Sequence, residues 1–319
     1  MVPEMMREPF WARPSATVLP ACLGLLGCGL VWRDATGVLG APAGIAGLWL
    51  GATLALLGVC LVLYGRRIAR RPASLRHDLR MPATRGAVST GSMALMLAGA
   101  ALAPLWLLAA WAAWLAGVVL HGILGALLVR ELAAMPPDGR PATASLMVPF
   151  AGFLAAPIGG VPLGLGPAAA ILFWSGMAAW LVLLPLVLRH LLHASSPPPP
   201  VREQTAALLM PPALAAVGLE TLDPGNPGVA WLYGLAALTL VGLLLRLRWM
   251  TGGGWSPGWA ALSFPLASFA WASLIIAGRV QTVPLRLAAA VALTAASLVT
   301  LYVSWRLAKA WVTGKPALP

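Results

Sequence analysis

Eight stretches of this chain run without a charged side chain: 14–32, 35–65, 86–129, 141–188, 204–219, 229–245, 249–278 and 287–305. About 20 apolar residues cross the hydrocarbon core of a bilayer as one helix. The longer runs are divided by Pro, Gly or polar residues into pairs. Ten membrane spans are therefore expected, at 14–33, 41–64, 86–104, 106–130, 146–163, 168–191, 204–221, 229–248, 258–278 and 285–308. Spans 5 and 7 are short and interrupted by proline. Only 9% of the residues are charged, against roughly 25% in soluble domains. The expected fold class is an all-α polytopic membrane protein, with residues 1–319 forming a single transmembrane domain.

The formal net charge of +12 would suit a nucleic-acid partner if it were spread over one face. It is not. Eighteen of the 21 Lys and Arg precede span 1, fall in alternate loops from loop 2–3 onward, or follow span 10, leaving only Arg33, Arg279 and Arg286 on the other side. That is the positive-inside pattern, which predicts both termini in the cytoplasm and requires an even span count. Seven arginines from Arg66 to Arg85, six of them in "GRRIARRPASLRHDLR", read as a topology signal beside anionic lipid headgroups. The opening "MVPEMMREPFWARPS" carries Glu4 and Glu8 before a full-length apolar run, so span 1 is expected to be retained rather than cleaved as a leader.

Connections on the predicted cytoplasmic side are long and charged (65–85, 131–145, 189–203, 246–257), whereas the external ones are short, as in "LAPLW" and "GVPLGLGP". Short connections make antiparallel neighbours, so the unit is a hairpin, repeated five times. "SSPPPP" at 195–200 reads as a stiff polyproline spacer. Spans 1, 5, 7 and 9 carry internal prolines (Pro20, Pro157, Pro211 with Pro212, Pro265), and span 3 is rich in small and hydroxyl residues, "AVSTGSMALMLAGAA". Even spans are heavier in Leu, Val and Trp. A carbonyl freed by proline must be satisfied by protein or cavity water rather than hydrocarbon. Odd helices are thus expected inside and even helices outside.

Little in the chain suits redox, metal or coupled-transport chemistry. Cys22 and Cys28 point apart on one helix, Cys60 is alone in sequence, and no CxxC pair exists, so the cysteines read as buried small hydrophobes with no metal or cofactor. A haem anchor needs two facing histidines at membrane depth. His121 alone lies clearly within a span; His190 and His193 sit at a helix end and His77 in a loop. Ion-coupled carriers need ionisable stations within the membrane. Glu220 and Asp223 fall at an external mouth, and Glu131 at the cytoplasmic edge, where Arg130 or solvent would pair it. This absence favours passive conduction and no enzymatic role.

"FWSGMAAWLVLLPLVLRHL" (173–191), "MPPALAAVGLETL" (210–222), "LYGLAALTLVGLLLRLRW" (232–249) and "GWAALSFPLASFAWAS" (258–273) resemble the tellurite-resistance and dicarboxylate transporter family, the bacterial TehA group related to the slow anion channels of plant guard cells. The most specific piece is Ser263-Phe264-Pro265-Leu266. The resemblance implies five hairpins in a quasi-fivefold ring around a central pore, homotrimers with one pore per protomer in a bacterial inner membrane, and small anions as substrates. It also implies that a phenylalanine on span 9 gates the pore, which here is Phe264. Pro20, Pro157, Pro211, Pro265, Ala260 and Ser268 are the expected pore-lining kinks and small residues. The alternative is a secondary carrier for C4-dicarboxylates, sulfite or tellurite, which would saturate and show counterflow.

Overall fold

The structure, a computed structural model, describes residues 16–136, 142–193 and 199–313. The amino-terminal segment through Ser15, Arg140, residues 195–198 of the "SSPPPP" spacer and Lys315 lie outside them. All regular structure among the described residues is helical. Span 1 is Val18–Leu39, span 2 Ala43–Arg70, span 3 Pro82–Leu102 and span 4 Leu107–Ala133. Spans 5, 6 and 7 are Ala144–Leu163, Gly166–His193 and Val201–Leu222. Spans 8, 9 and 10 are Gly228–Leu245, Pro257–Val280 and Val283–Thr313. Nine of these are long and apolar enough to cross a membrane. Span 3 is not among the nine, because its first turns hold Arg85 and its middle reads Ser89-Thr90-Gly91-Ser92. Its 21 residues nonetheless pack along span 4.

Three of the four prolines named in the sequence stand where a span changes from 3-10 to α. Span 5 alternates short 3-10 and α pieces: Ala144–Leu146, Met147–Ala151, Gly152–Ala155, Ala156–Gly160 and Val161–Leu163. Span 7 begins in a 3-10 helix, Pro199–Leu209, and becomes α at Met210; span 9 does the same between Pro257–Leu262 and Ser263. Pro20, Pro157, Pro211 and Pro265 are each the second or third residue of an α-helix. The first four N–H groups of a helix have no partner within it, so Pro20, in the first turn of span 1, forfeits no hydrogen bond. Pro157, Pro211 and Pro265 each follow a 3-10 segment directly and mark a change of helix type inside a continuous span, where the ladder lacks one donor. Pro185, inside span 6, is the mid-helix case.

Burial separates the two sets of helices. In the most apolar stretches of spans 1, 5, 7 and 9, 72–78% of residues are buried, against 11–33% in the even spans. Span 3 is buried along nearly its whole length. Contacts among odd spans close a cycle: 1 on 3, 3 on 5, 5 on 7, 7 on 9, and 9 back on 1. Each even span packs on the odd span before it and exposes Leu, Val and Trp, including Leu48, Trp106, Trp174, Leu181, Trp231 and Trp305. Apolar side chains cost nothing against lipid tails, and exposed Trp suits the membrane interface.

One stretch expected as a loop is structured. Span 2 continues to Arg70, and Ala73–Arg80 forms a further helix that packs on spans 3 and 4. Asp78 anchors it, accepting from Tyr64 Oη at 2.9 Å and from Arg67 Nη1 at 3.1 Å. Glu131 does not pair with Arg130. It takes Arg76 Nε and Arg80 Nε, at 2.9 and 2.6 Å, from this helix. Part of the arginine run is therefore spent on internal ion pairs.

Candidate functional site

All five odd spans contribute to one cavity at the arginine-bearing end of the bundle. Thr17, Pro20 and Leu23 come from the start of span 1, Ala83 to Thr90 from span 3, Ser145 and Val148 from span 5. Gln204, Ala207 and Met210 come from span 7, and Pro257 to Pro265 from span 9. The wall is mostly methyl and methylene groups.

Phe264 forms part of the cavity wall and is only 3% exposed. It is the second residue of the α-helix Ser263–Val280, and its ring rests on span 1. A Cβ placed on Gly27 would stand 3.0 Å from Phe264 Cδ2, 3.1 Å from Cε2 and 3.2 Å from Ala267 Cβ. One turn earlier, a Cβ on Gly24 would collide with Ser263 Cβ and lie 3.0–3.1 Å from span 9 backbone atoms. Gly24 and Gly27 thus let spans 1 and 9 approach, and the approach fixes where the ring sits.

Pro20, Ala260, Phe264 and Pro265 share this wall. Pro157, Pro211 and Ser268 are buried but lie outside it. Ser268 Oγ donates to the Pro265 carbonyl at 2.9 Å, which holds the first turn of the helix. Sequence reasoning did not single out Gly24 and Gly27. The signal was present in "CLGLLGCG", where small residues recur three apart on one helix face.

A second cavity lies at the opposite, hairpin-turn end, lined by Asp34 and Val38 of span 1, Glu220 of span 7, and Trp271, Leu274, Gly278 and Arg279 of span 9. Trp271 is about two turns along span 9 from Phe264. Its Nε1 donates to Asp34 Oδ2 at 2.8 Å. Arg279 is ion-paired to Glu220 and donates from Nη1 to the Asn226 carbonyl at 2.9 Å. Glu220 was expected at a solvated mouth; it is held by a specific cation there.

At the arginine-bearing end two buried charges flank the first cavity. Arg85 has no solvent exposure; Nε donates to Ser145 Oγ at 3.0 Å and Nη2 to Thr143 Oγ1 at 2.5 Å. Glu203, 2% exposed, accepts from Ser256 Oγ, which in turn accepts from Gly258 N at 3.0 Å. Neither charge was legible as buried, since both stand in charged loops by sequence.

The remaining candidates are packing groups. His121 sits between spans 3 and 5, with Nδ1 2.8 Å from Ser92 Oγ and its ring edge-on to Phe153. Cys22 and Cys60, distant in sequence, meet across spans 1 and 2, and Cys28 donates weakly to Thr300 Oγ1 at 3.7 Å. All three thiols are buried and free.

No curated protein matches the chain. A family model described as voltage-dependent anion channel, SLAC1, matches residues 15–308, which take in all ten helical spans but the last five residues of span 10. This multi-pass membrane protein, with a cavity ringed by five buried helices, therefore belongs to the SLAC1 family of anion-transporting channels.

Proposed function

We propose that the protein conducts small anions passively through a central pore along the axis of the five odd spans, closed at Phe264. One observation carries this reading: a cavity walled by all five odd spans has the Phe264 ring against it, seated on bare glycine backbone at Gly27. A ring in an apolar constriction blocks an ion sterically and denies it water. Five hairpins repeat around a quasi-fivefold axis, and the whole chain acts as one transmembrane domain with ten crossings. The arginine-rich end faces the cytoplasm, with both termini, by the positive-inside bias. The setting is a bacterial inner membrane, and the assembly is a homotrimer with one pore per protomer; the exposed Trp and Leu of the even spans suit both lipid and subunit contact.

Replacing the ring tests the gate. Phe264→Ala, reconstituted in planar bilayers, is expected to carry a chloride current well above wild type, linear in voltage and reversing at the chloride potential. Currents equal to wild type would remove Phe264 from the gate. Saturating flux with counterflow would move the protein to the carrier class, with C4-dicarboxylate, sulfite and tellurite as the substrates to compare.

A further inference from the structure

We infer that Arg85, Thr143 and Ser145 form a binding station for a small anion on the wall of the arginine-end cavity, presented to the ion through the Ser145 hydroxyl. The inference deepens the conduction reading above and rests on it.

Ser145 lines the cavity, while Arg85 stands directly behind it and reaches it through Nε at 3.0 Å. Burying a guanidinium is costly, so this one must be held by well-placed acceptors. The hydroxyls leave a proton to spare. Arginine only donates, so Ser145 Oγ and Thr143 Oγ1 both accept from it. The two hydroxyls lie 2.8 Å apart, so one of their two protons fills the bond between them. Either hydroxyl can donate in that bond; an anion in the cavity selects Thr143 as the donor, which leaves the Ser145 proton for the ion. An O–H whose oxygen already accepts from a cation is polarised into a stronger donor. This places a charge-backed donor at the cavity wall, the chemistry that holds chloride or a small oxyanion.

The surrounding groups agree. Gly86 follows Arg85, and a Cβ there would stand 2.9 Å from the Ser145 carbonyl oxygen, so only glycine lets span 5 close on this turn. Gln204, also on the wall, gives one amide proton to the Ala83 carbonyl at 3.0 Å and keeps its second. Thr90 spends its proton on the Ala87 carbonyl. The Glu203 carboxylate is turned to Ser256 and is not part of the wall. Positive charge and donors therefore gather on the Arg85 side. The apolar remainder of the wall binds weakly, as a conducting site must.

Two measurements on the full-length protein test this. Purified protein is dialysed to equilibrium against radiolabelled chloride, comparing wild type with Ser145→Ala, Arg85→Lys and Arg85→Gln. In parallel, conductance is titrated with chloride from each side of the membrane on a Phe264→Ala background. Losing a hydrogen bond to a charged ligand costs roughly a factor of ten in affinity. Ser145→Ala is thus expected to raise half-saturating chloride roughly tenfold from the arginine-bearing side alone. Arg85→Lys should retain part of the affinity and Arg85→Gln none. Ser145→Ala removes one oxygen and guards against a folding failure of the arginine variants. A Phe264→Ala background that conducts, with half-saturation unchanged by Ser145→Ala, overturns the station and leaves the channel reading intact. A background without anion current defeats the channel reading, and the dialysis arm alone then decides: equal chloride binding by wild type and Ser145→Ala overturns the station.

Discussion

The ring of Phe264 lies over Gly27 so closely that a methyl group there would stand 3.0 Å from its Cδ2, and the ring would have to shift by a few tenths of an ångström to admit it. The seat of the ring is thus made by what Gly27 lacks. Adding that methyl should remove the seat. Overpacking of this kind costs about 1–3 kcal/mol, and 1.4 kcal/mol is tenfold in a closed-to-open ratio. Gly27→Ala is therefore expected to raise resting chloride current roughly tenfold. In a Phe264→Ala background the same substitution should add nothing, and a double-mutant cycle of single-channel open probability checks the coupling.

Gly24 makes a tighter approach, where a Cβ would meet Ser263 and the span 9 backbone instead of a movable ring. Gly24→Ala must push the two helices apart and should destabilise the protein by about 1–3 kcal/mol. Gly37→Ala, on the same helix but with nothing within 4 Å of the added carbon, is the matched control. Thermal unfolding in detergent, followed by fluorescence-detected gel filtration, separates the two.

Much of this architecture could be read from the residues, and the unread parts share a cause. Prolines and small residues marked the odd spans as inner, and bulky aliphatics marked the even spans as outer, because lipid and protein solvate a backbone differently. The position of Phe264 beside Pro265 was visible for the same reason. What Pro265 does was not, since a proline at a change from 3-10 to α and one within an unbroken α-helix look alike until the preceding 3-10 segment is known. Arg85 and Glu131 were hidden more deeply. Their partners Ser145, Arg76 and Arg80 lie 60, 55 and 51 residues away, and a charge count treats every arginine in a run as equivalent. The helix Ala73–Arg80 brings Arg76 and Arg80 to Glu131 and offers Asp78 to Arg67.

That helix supplies a stability prediction. Asp78 is 4% exposed and takes both Tyr64 Oη and Arg67 Nη1. Asp78→Ala leaves a buried hydroxyl without its acceptor and should cost about 1.5–3 kcal/mol. Hydrogen exchange is expected to rise across 73–80 while the backbone of span 9 stays protected.

The hairpin-turn end offers a test of ion entry. Its cavity is lined by two carboxylates, Asp34 and Glu220, and one guanidinium, Arg279. Glu220→Gln releases Arg279 from its ion pair and makes the local sum one charge more positive. Chloride conductance entering from this side should increase on the Phe264→Ala background. The increase should fade near 1 M salt, where the screening length falls to about 3 Å. Conductance titrations at low and high ionic strength check it.

The closed cycle of odd spans has a topological consequence. Each is followed by its own antiparallel even partner, so all five odd helices point the same way, and five cannot be divided into two equal halves. Carriers that rock between inward- and outward-facing forms commonly do so by pivoting two pseudo-symmetric, inverted repeats about a midplane site. A ring of five like-oriented helices offers no such hinge line. On the reading proposed above, opening a path through it falls to a change at one side chain, Phe264, within a frame that keeps its shape.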